Sequence, residues 1–267
     1  MLELLQITND PAFARRCDAL GGFRLFVDLE RLGKAERQAG RNTFISAHQL
    51  EDVARVRAAV RRSPLMVRVN PMHEGTAVEV DAVLARGADS LMLPMFEGRA
   101  QLQAFSEIVA GRAPIVPLLE NAAALASVDA WADTPGLQEI YVGLNDLHIS
   151  LGRRFMFEPL ADGSVETVAQ VARRHGLRFG FGGIARLHEG LLPGRDVLAE
   201  HLRLGSGAVI LSRTFHRESE MDFEREVAAL RECERELAGR TPAEVHSDAV
   251  RIAARIRAIA AELNARP

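Results

Sequence analysis

Cysteine is nearly missing from this chain. Only Cys17 and Cys233 occur, far apart and outside any CxxC or His-rich context, so neither a disulfide framework nor a metal knuckle is indicated. Both read as structural thiols. A surplus of charge of one sign is missing too: 33 Lys and Arg face 36 Asp and Glu, a formal net charge of -3. No global field draws in a polyanion such as nucleic acid, and a small-molecule ligand fits better. No apolar run approaches the ~20 residues that a membrane span needs. The N-terminus lacks the basic flank and cleavage pattern of a secretory signal, so a cytoplasmic location is expected. The chain has no P-loop, no GxGxxG fingerprint and no GxSxG elbow, which weakens nucleotide and serine-hydrolase readings.

What is present is apolar substance. With 48% hydrophobic residues over 267 positions the chain can bury one large core, and α/β barrels of about 250 residues commonly fold as one domain. Short runs rich in Val, Ile, Leu and Phe recur at 2–7, 23–29, 43–46, 65–69, 90–93, 115–119, 139–142, 178–182 and 208–211. Longer stretches with helical periodicity separate them, at 11–20, 50–62, 76–86, 99–110, 121–132, 165–175 and 188–202. The runs are apolar nearly throughout rather than alternating, as in strands buried on both faces. The shortest, 43–46, is assigned to a loop, which leaves eight strands. The spacing therefore predicts an α/β fold, a (β/α)8 TIM barrel over residues 1–240. Two helices follow the last strand, at 219–237 and 242–263. One closes the barrel, and 241–267 forms an additional C-terminal helical extension packing on the barrel or on a neighbouring subunit. The alternating Arg and Glu of 224–236 read first as a solvated face.

In a parallel barrel the reactive groups project from the carboxyl ends of the strands. There the sequence places Asp28 and Glu30, Arg68 and Asn70, Glu120, and the run Gly143, Leu144, Asn145, Asp146. Glu120 and Asp146 are hard oxygen donors suited to Mg²⁺ or Mn²⁺. Alternatively Glu120 caps the next helix and Asp146 begins another. Arg68 lies in an apolar strand and needs an anion, either Asp28 or Glu30 or a substrate carboxylate. His48, ahead of the 50–62 helix, can face the mouth as a proton-transfer group or merely cap that helix. Gly182 and Gly183 allow close backbone approach to a ligand, or serve a tight turn. His175 and His201 occupy polar helix positions and are expected to be solvated.

At these strand ends the sequence resembles the HpcH/HpaI aldolase and citrate lyase beta-subunit family of metal-dependent barrels. The strings GADSLMLPMFEG (87–98), PLLENAAAL (117–125) and YVGLNDLHISLG (141–152) resemble its strand-four, metal-glutamate and metal-aspartate segments. VRVNP (67–71) stands where the family carries its substrate arginine, and the resemblance spans roughly 2–213. It implies a carbon–carbon lyase of the class II aldolase type, with a pyruvate-like enolate chelated by Mg²⁺ or Mn²⁺ at Glu120 and Asp146. Arg68 then stabilises the oxygen charge, and Gly143, Asn145, Gly182 and Gly183 line the substrate. The catalytic set is Arg68, His48, Glu30 and Asp28, with His48 the candidate base: HQLED (48–52) restores the family's His-to-Asp spacing if 31–47 is an insertion. That insertion carries Lys34, Arg37 and Arg41, suited to an acidic acceptor or to solvent. Arg31 departs from the pattern of both branches. The DLE string (28–30) also resembles the acyl-CoA lyase branch, which acts on citryl or malyl thioesters, and a catalytically idle barrel is the reading from another class. The partners implied are a 2-oxo acid and an aldehyde, or a CoA thioester, in a homotrimer or homohexamer.

Overall fold

The structure, a computed structural model, describes residues 1–33, 47–216 and 220–265. The 43–46 run, Lys34, Arg37 and Arg41 lie outside the described residues. Eight strands, β1 (Glu3–Ile7), β2 (Phe23–Asp28), β3 (Leu65–Arg68), β4 (Ser90–Leu93), β5 (Ile115–Leu119), β6 (Glu139–Val142), β7 (Arg178–Ile184) and β8 (Ala208–Leu211), pair in chain order. All pairs are parallel, and β8 closes the barrel onto β1. The coat comprises α1 (Pro11–Leu20), α2 (Leu50–Ala59), α3 (Thr76–Ala85), α4 (Arg99–Val109), α5 (Ala122–Ala126), α6 (Val128–Trp131), α7 (Leu144–Ser150), α8 (Glu158–Ala161), α9 (Ser164–Arg174), α10 (Gly194–Leu204), α11 (Glu220–Ala238) and α12 (Pro242–Asn264). The fold is the expected TIM barrel with C-terminal helices.

The strands are apolar throughout because each has two dry faces. Alternate residues Leu5, Phe26, Met66, Met92, Val116, Leu118, Tyr141 and Ala208 fill the barrel interior. The intervening ones, among them Leu4, Leu25, Val67, Leu91, Ile140 and Phe181, meet the helices in a separate cluster. This period of two then fixes which residues reach the mouth.

The floor of the barrel holds a closed ion network. Arg24, on β2, donates to Glu139 (2.8 Å) and through Nε to Glu3 (3.0 Å), while Arg178 also donates to Glu3 (2.8 Å). The buried Glu139 and the half-buried Glu3 thus meet two guanidinium groups. At the other end Tyr141 spans a register break between Gly180 and Gly183. Its hydroxyl donates to the Gly182 carbonyl (2.7 Å) and accepts from the Ile210 N–H (2.9 Å).

Several details differ from expectation. Strand β7 runs two residues further than its apolar run, so Gly183 and Ile184 lie within it as well as Gly182. The helix expected over 121–132 breaks at Ser127 into α5 and α6, and α7 and α8 had no counterpart in the periodicity. His175 is exposed as expected, but His201 is fully buried. His201 follows Val197 and Leu198 by four and three positions, which places it on the buried stripe of α10. Its ring stacks on Phe181 at 3.7 Å, its Nδ1 meets Ser206 Oγ at 2.8 Å, and burial pushes its pKa down to about 3. The face around 224–236 is not wholly solvated, since Glu234 is buried and accepts the Leu2 N–H. Cys17 and Cys233 are buried free thiols, and burial raises Cys17 to about 12. Helix α12 starts at a Thr241–Glu244 capping box and buries Ile252, Ile256 and Ala260. Arg251 ties it to Asp196 of α10 (2.8 Å) and Arg257 to the Ala161 carbonyl of α8 (2.9 Å). Among the described residues no helix is long and apolar enough to cross a membrane.

The floor network yields a stability test. Arg24→Met strands Glu139, whose side chain is 1% exposed, and should destabilise the protein by about 3–5 kcal/mol in urea unfolding. Adding Glu139→Gln should recover most of that loss.

Candidate active site at the mouth of the barrel

The interior rows of the barrel, continued by one step of two, change from apolar to charged. Phe26 leads to Asp28 and then Glu30, Met66 to Arg68, Leu118 to Glu120, and Tyr141 to Gly143. Asp28 and Arg68 are register partners on adjacent strands, so their side chains meet directly. Arg68 forms a two-pronged contact with Asp28, Nε to Oδ1 at 2.8 Å and Nη2 to Oδ2 at 2.7 Å, and Nη2 lies 3.4 Å from Glu30 Oε2. The internal ion pair foreseen for Arg68 is therefore made. Its guanidinium also lies over the Phe26 ring, 5.7 Å from the centroid. Burial alone would lower its pKa, but Asp28, Glu30 and Glu120 more than offset this and hold it above arginine's ordinary value.

Glu120 is 3% exposed and faces inward. It does not cap the following helix: Asn121 does, with its Oδ1 accepting from the Ala124 N–H at 2.9 Å. Instead Glu120 Oε1 accepts the Met95 N–H at 3.0 Å. Met95 sits at φ 56°, a left-handed conformation unusual for a side chain of this kind. Sequence reasoning passed over Met95, because its backbone conformation is a product of the assembled mouth. The other carboxyl oxygen occupies space that a side chain would otherwise take: a Cβ added at Gly143 would lie 3.0 Å from Glu120 Oε2 and 3.0 Å from its Cβ. That close approach is the reason for glycine at 143.

Burial pushes Glu120 up to about 8; Arg68 and the Met95 N–H oppose this, whereas the charges of Glu30 and Asp146 add to it. Asp146 is half-buried in the first turn of α7, next to half-buried Asn145. Asp146 therefore opens a helix, as one of its two readings had it, and its charge also raises Glu120. Three carboxylates, Asp28, Glu30 and Glu120, act on one guanidinium, and a fourth, Asp146, acts on Glu120. Such a surplus of negative charge suits a cation. Among the described residues no group of three or more His, Cys, Asp and Glu side chains converges on one point.

His48 is buried beside β2, where its Nδ1 accepts the Asp28 backbone N–H at 3.1 Å. Asp52, four residues on, lowers its own pKa against burial by accepting from Gln49 N (2.8 Å), Asn9 Nδ2 (3.0 Å) and Arg55 (2.8 Å), and His48 adds to that effect. The structure thus brings His48, Asp28, Glu30 and Arg68 together, with Glu120, Gly143 and Asp146 across the mouth. Gly182 has a reason of its own: at φ 50° it turns its carbonyl to Tyr141, and a Cβ there would lie 2.8 Å from Leu144 Cδ1. Gly183 follows on the same strand end, paired in register with Ile210.

A model of the family described as HpcH/HpaI aldolase/citrate lyase matches residues 6–179. No curated protein matches the sequence. Among solved structures, an HpcH/HpaI aldolase/citrate lyase family protein from Burkholderia cenocepacia J2315 is similar at 17% identity and TM-score 0.64, over 88% of this chain and 94% of that one. The citrate synthase SbnG is similar at 18% identity and TM-score 0.61, over 88% and 93%. A citrate lyase beta subunit from M. tuberculosis, complexed with oxaloacetate and magnesium, is similar at 18% identity and TM-score 0.59, over 88% and 97%. At such identities the likeness shows the shared barrel alone.

The upward shift of Glu120 has a definite sign. An acid whose folded pKa lies near 8 binds a proton in the native state that the unfolded chain has already released, so stability falls as pH rises from the ordinary carboxylate range to about 8. In metal-free buffer, urea unfolding of the wild type should show that decline. Glu120→Gln should remove this group's share of it, and an unchanged slope would contradict the placement of Glu120.

Proposed function

Because the chain belongs to the HpcH/HpaI aldolase/citrate lyase family, we propose that it is a metal-dependent carbon–carbon lyase of the class II aldolase type that forms or cleaves a bond to a pyruvate-like enolate. The family is one of aldolases and lyases. The observation that carries the finer reading is Glu120, a buried inward-facing carboxylate driven toward its neutral form with Glu30 and Asp146 among the causes. Such a group regains its charge when a cation binds. Oxaloacetate, the molecule named with magnesium in the similar citrate lyase beta subunit, is itself a 2-oxo acid.

Glu120 and Asp146 would hold Mg²⁺ or Mn²⁺, and the ion would supply Lewis-acid charge to the oxygens of a 2-oxo acid. The chain's own groups do the rest. Arg68 keeps its Nε and Nη2 on Asp28, and among the described residues its Nη1 makes no hydrogen bond. That prong is offered to the oxygen on which negative charge grows. Asp28 and Glu30 hold the guanidinium in place, so the stabilising charge needs no rearrangement as the enolate forms. His48, beside Asp28, is the proton-transfer group. Gly143, Asn145, Gly182 and Gly183 supply backbone and small polar surface along the substrate's path.

A second reading, the acyl-CoA lyase type, draws on the Asp28–Glu30 acidic pair and the same citrate lyase neighbour. It predicts turnover of a malyl or citryl thioester and protection by CoA alone. The acid pair at the mouth also speaks against an idle barrel, since a scaffold has no use for it. We place the chain in a homotrimer or homohexamer.

The leading reading is tested by deuterium exchange into the methyl group of pyruvate. Exchange should require Mg²⁺ or Mn²⁺, stop on chelation, and disappear in Glu120→Ala and Asp146→Ala; metal-independent exchange would overturn it. Gly143→Ala intrudes on the Glu120 carboxylate and should weaken Mn²⁺ binding by about tenfold or more, with stability changed by no more than about 1 kcal/mol. Mn²⁺ affinity should also rise with pH up to about 8, because the ion binds the form of Glu120 that has lost its proton.

A further inference from the structure

His48 does not follow its strand directly. It stands 17 positions after Arg31 in sequence, yet its Nδ1 lies on the Asp28 N–H at the end of β2. Two positions so far apart in sequence need a tie to stand side by side at one strand end. Arg31 provides one: its Nη2 donates to the His48 carbonyl at 2.8 Å, across 17 positions of sequence.

Arg31 is itself anchored. Asn70 Oδ1 accepts two successive backbone N–H groups, from Arg31 at 2.8 Å and from Leu32 at 3.0 Å. The Asn70 amide donates in turn to Glu79 Oε1 at 2.8 Å. On its other side Glu79 meets His73 Nε2 at 3.0 Å, and His73 Nδ1 accepts the Gly75 N–H at 3.1 Å. The loop after β3 and the first turn of α3 therefore fix the exit from β2, and Arg31 transmits that position to His48. At the far end a backbone N–H, which can only donate, points at His48 Nδ1. The neutral ring consequently carries its hydrogen on Nε2.

We propose that Arg31 is a positioning residue for His48, tying the His48 backbone to the end of β2 so that the imidazole is held on the Asp28 peptide in its Nε2–H form. The residue that departs from the family pattern is then what allows a histidine 17 positions further on to stand at the end of β2. The proposal rests on the enolisation reading only for its effect on rate. The tautomer and its dependence on Arg31 stand apart from that reading.

The test combines spectroscopy and kinetics. With ¹⁵N-labelled histidine and His48→Gln to assign the signals, the wild type should show His48 with a bare, hydrogen-bonded Nδ1 and a protonated Nε2. In Arg31→Ala those signals should move to the averaged positions of a mobile histidine. Pyruvate deuterium exchange should lose roughly tenfold in kcat, with KM and Mn²⁺ affinity unchanged. Arg31→Lys, which can still donate to a carbonyl, should restore much of both. Arg31 is exposed, so its replacement leaves the core intact. Unmoved His48 signals in Arg31→Ala overturn the proposal. So does a moved signal with unchanged kcat, which would make Arg31 a tie without consequence at the mouth. If the wild type enolises no pyruvate, the function fails and the imidazole measurement still decides the positioning.

Discussion

One guanidinium faces too many carboxylates. Arg68 is gripped by Asp28 and lies close to Glu30, and it is the chief charge opposing the upward push on Glu120. Little of its field is left over, because two of its donors are committed to a carboxylate whose charge cancels its own. Glu120 is therefore driven toward its neutral form, and Asp146 adds to the imbalance from the first turn of α7. The crowding follows from barrel geometry. Every second residue of a strand faces the interior, and the polar residues at the end of each row have no direction to point except toward one another.

The two ends of the barrel treat buried charge in opposite ways. At the floor two carboxylates, Glu3 and Glu139, are matched in number by two guanidinium groups, Arg24 and Arg178. At the mouth three carboxylates act on one arginine, and a fourth, Asp146, acts on Glu120. Breaking a buried pair costs about 3–5 kcal/mol, so a protein selected for stability alone would match charges at both ends. The division agrees with the general rule for these barrels, in which the amino-terminal face holds the fold together and the carboxyl-terminal face does chemistry. Tyr141 stands between the two, giving its ring to the interior packing and its hydroxyl to the register break that shapes the β7 end.

The barrel was legible because its strands are dry on both faces, which leaves unbroken apolar runs with nearly the observed limits. Strand β7 escaped at its end because Gly182 and Gly183 interrupt the apolar signal, although the backbone pairs on to Ile184. His201 was misjudged from its polar neighbours, when its spacing from Val197 and Leu198 already placed it on the packed stripe. The site was legible as a set of strand-end residues. Whether Glu120 capped a helix or faced the mouth was not decidable from position alone, even though Asn121 is the better cap and stands next to it. Met95 and Arg31 belong to a different category. Met95 acts through a backbone N–H, which residue type and spacing do not reveal; Arg31 stood out as a departure from the family pattern, but its contact with the His48 carbonyl did not.

Met95 also bears on how Glu120 is held. A left-handed non-glycine residue is a strained arrangement worth on the order of 1–3 kcal/mol, and it persists only where its surroundings over-determine it. Here they do. Asn121 donates to the Phe96 carbonyl at 2.8 Å, which ties the loop after β4 to the end of β5, and Phe96 packs edge-on to Trp131 with ring centroids 5.0 Å apart. The peptide is thus pinned on the side away from the mouth, and its N–H is directed at Glu120 Oε1. That donor favours the charged carboxylate and opposes the effect of burial. It also confines one oxygen, while Gly143 leaves space for the other. A carboxylate restrained in this way has lost most of its rotational freedom before any cation arrives, so little ordering remains to be done when one binds.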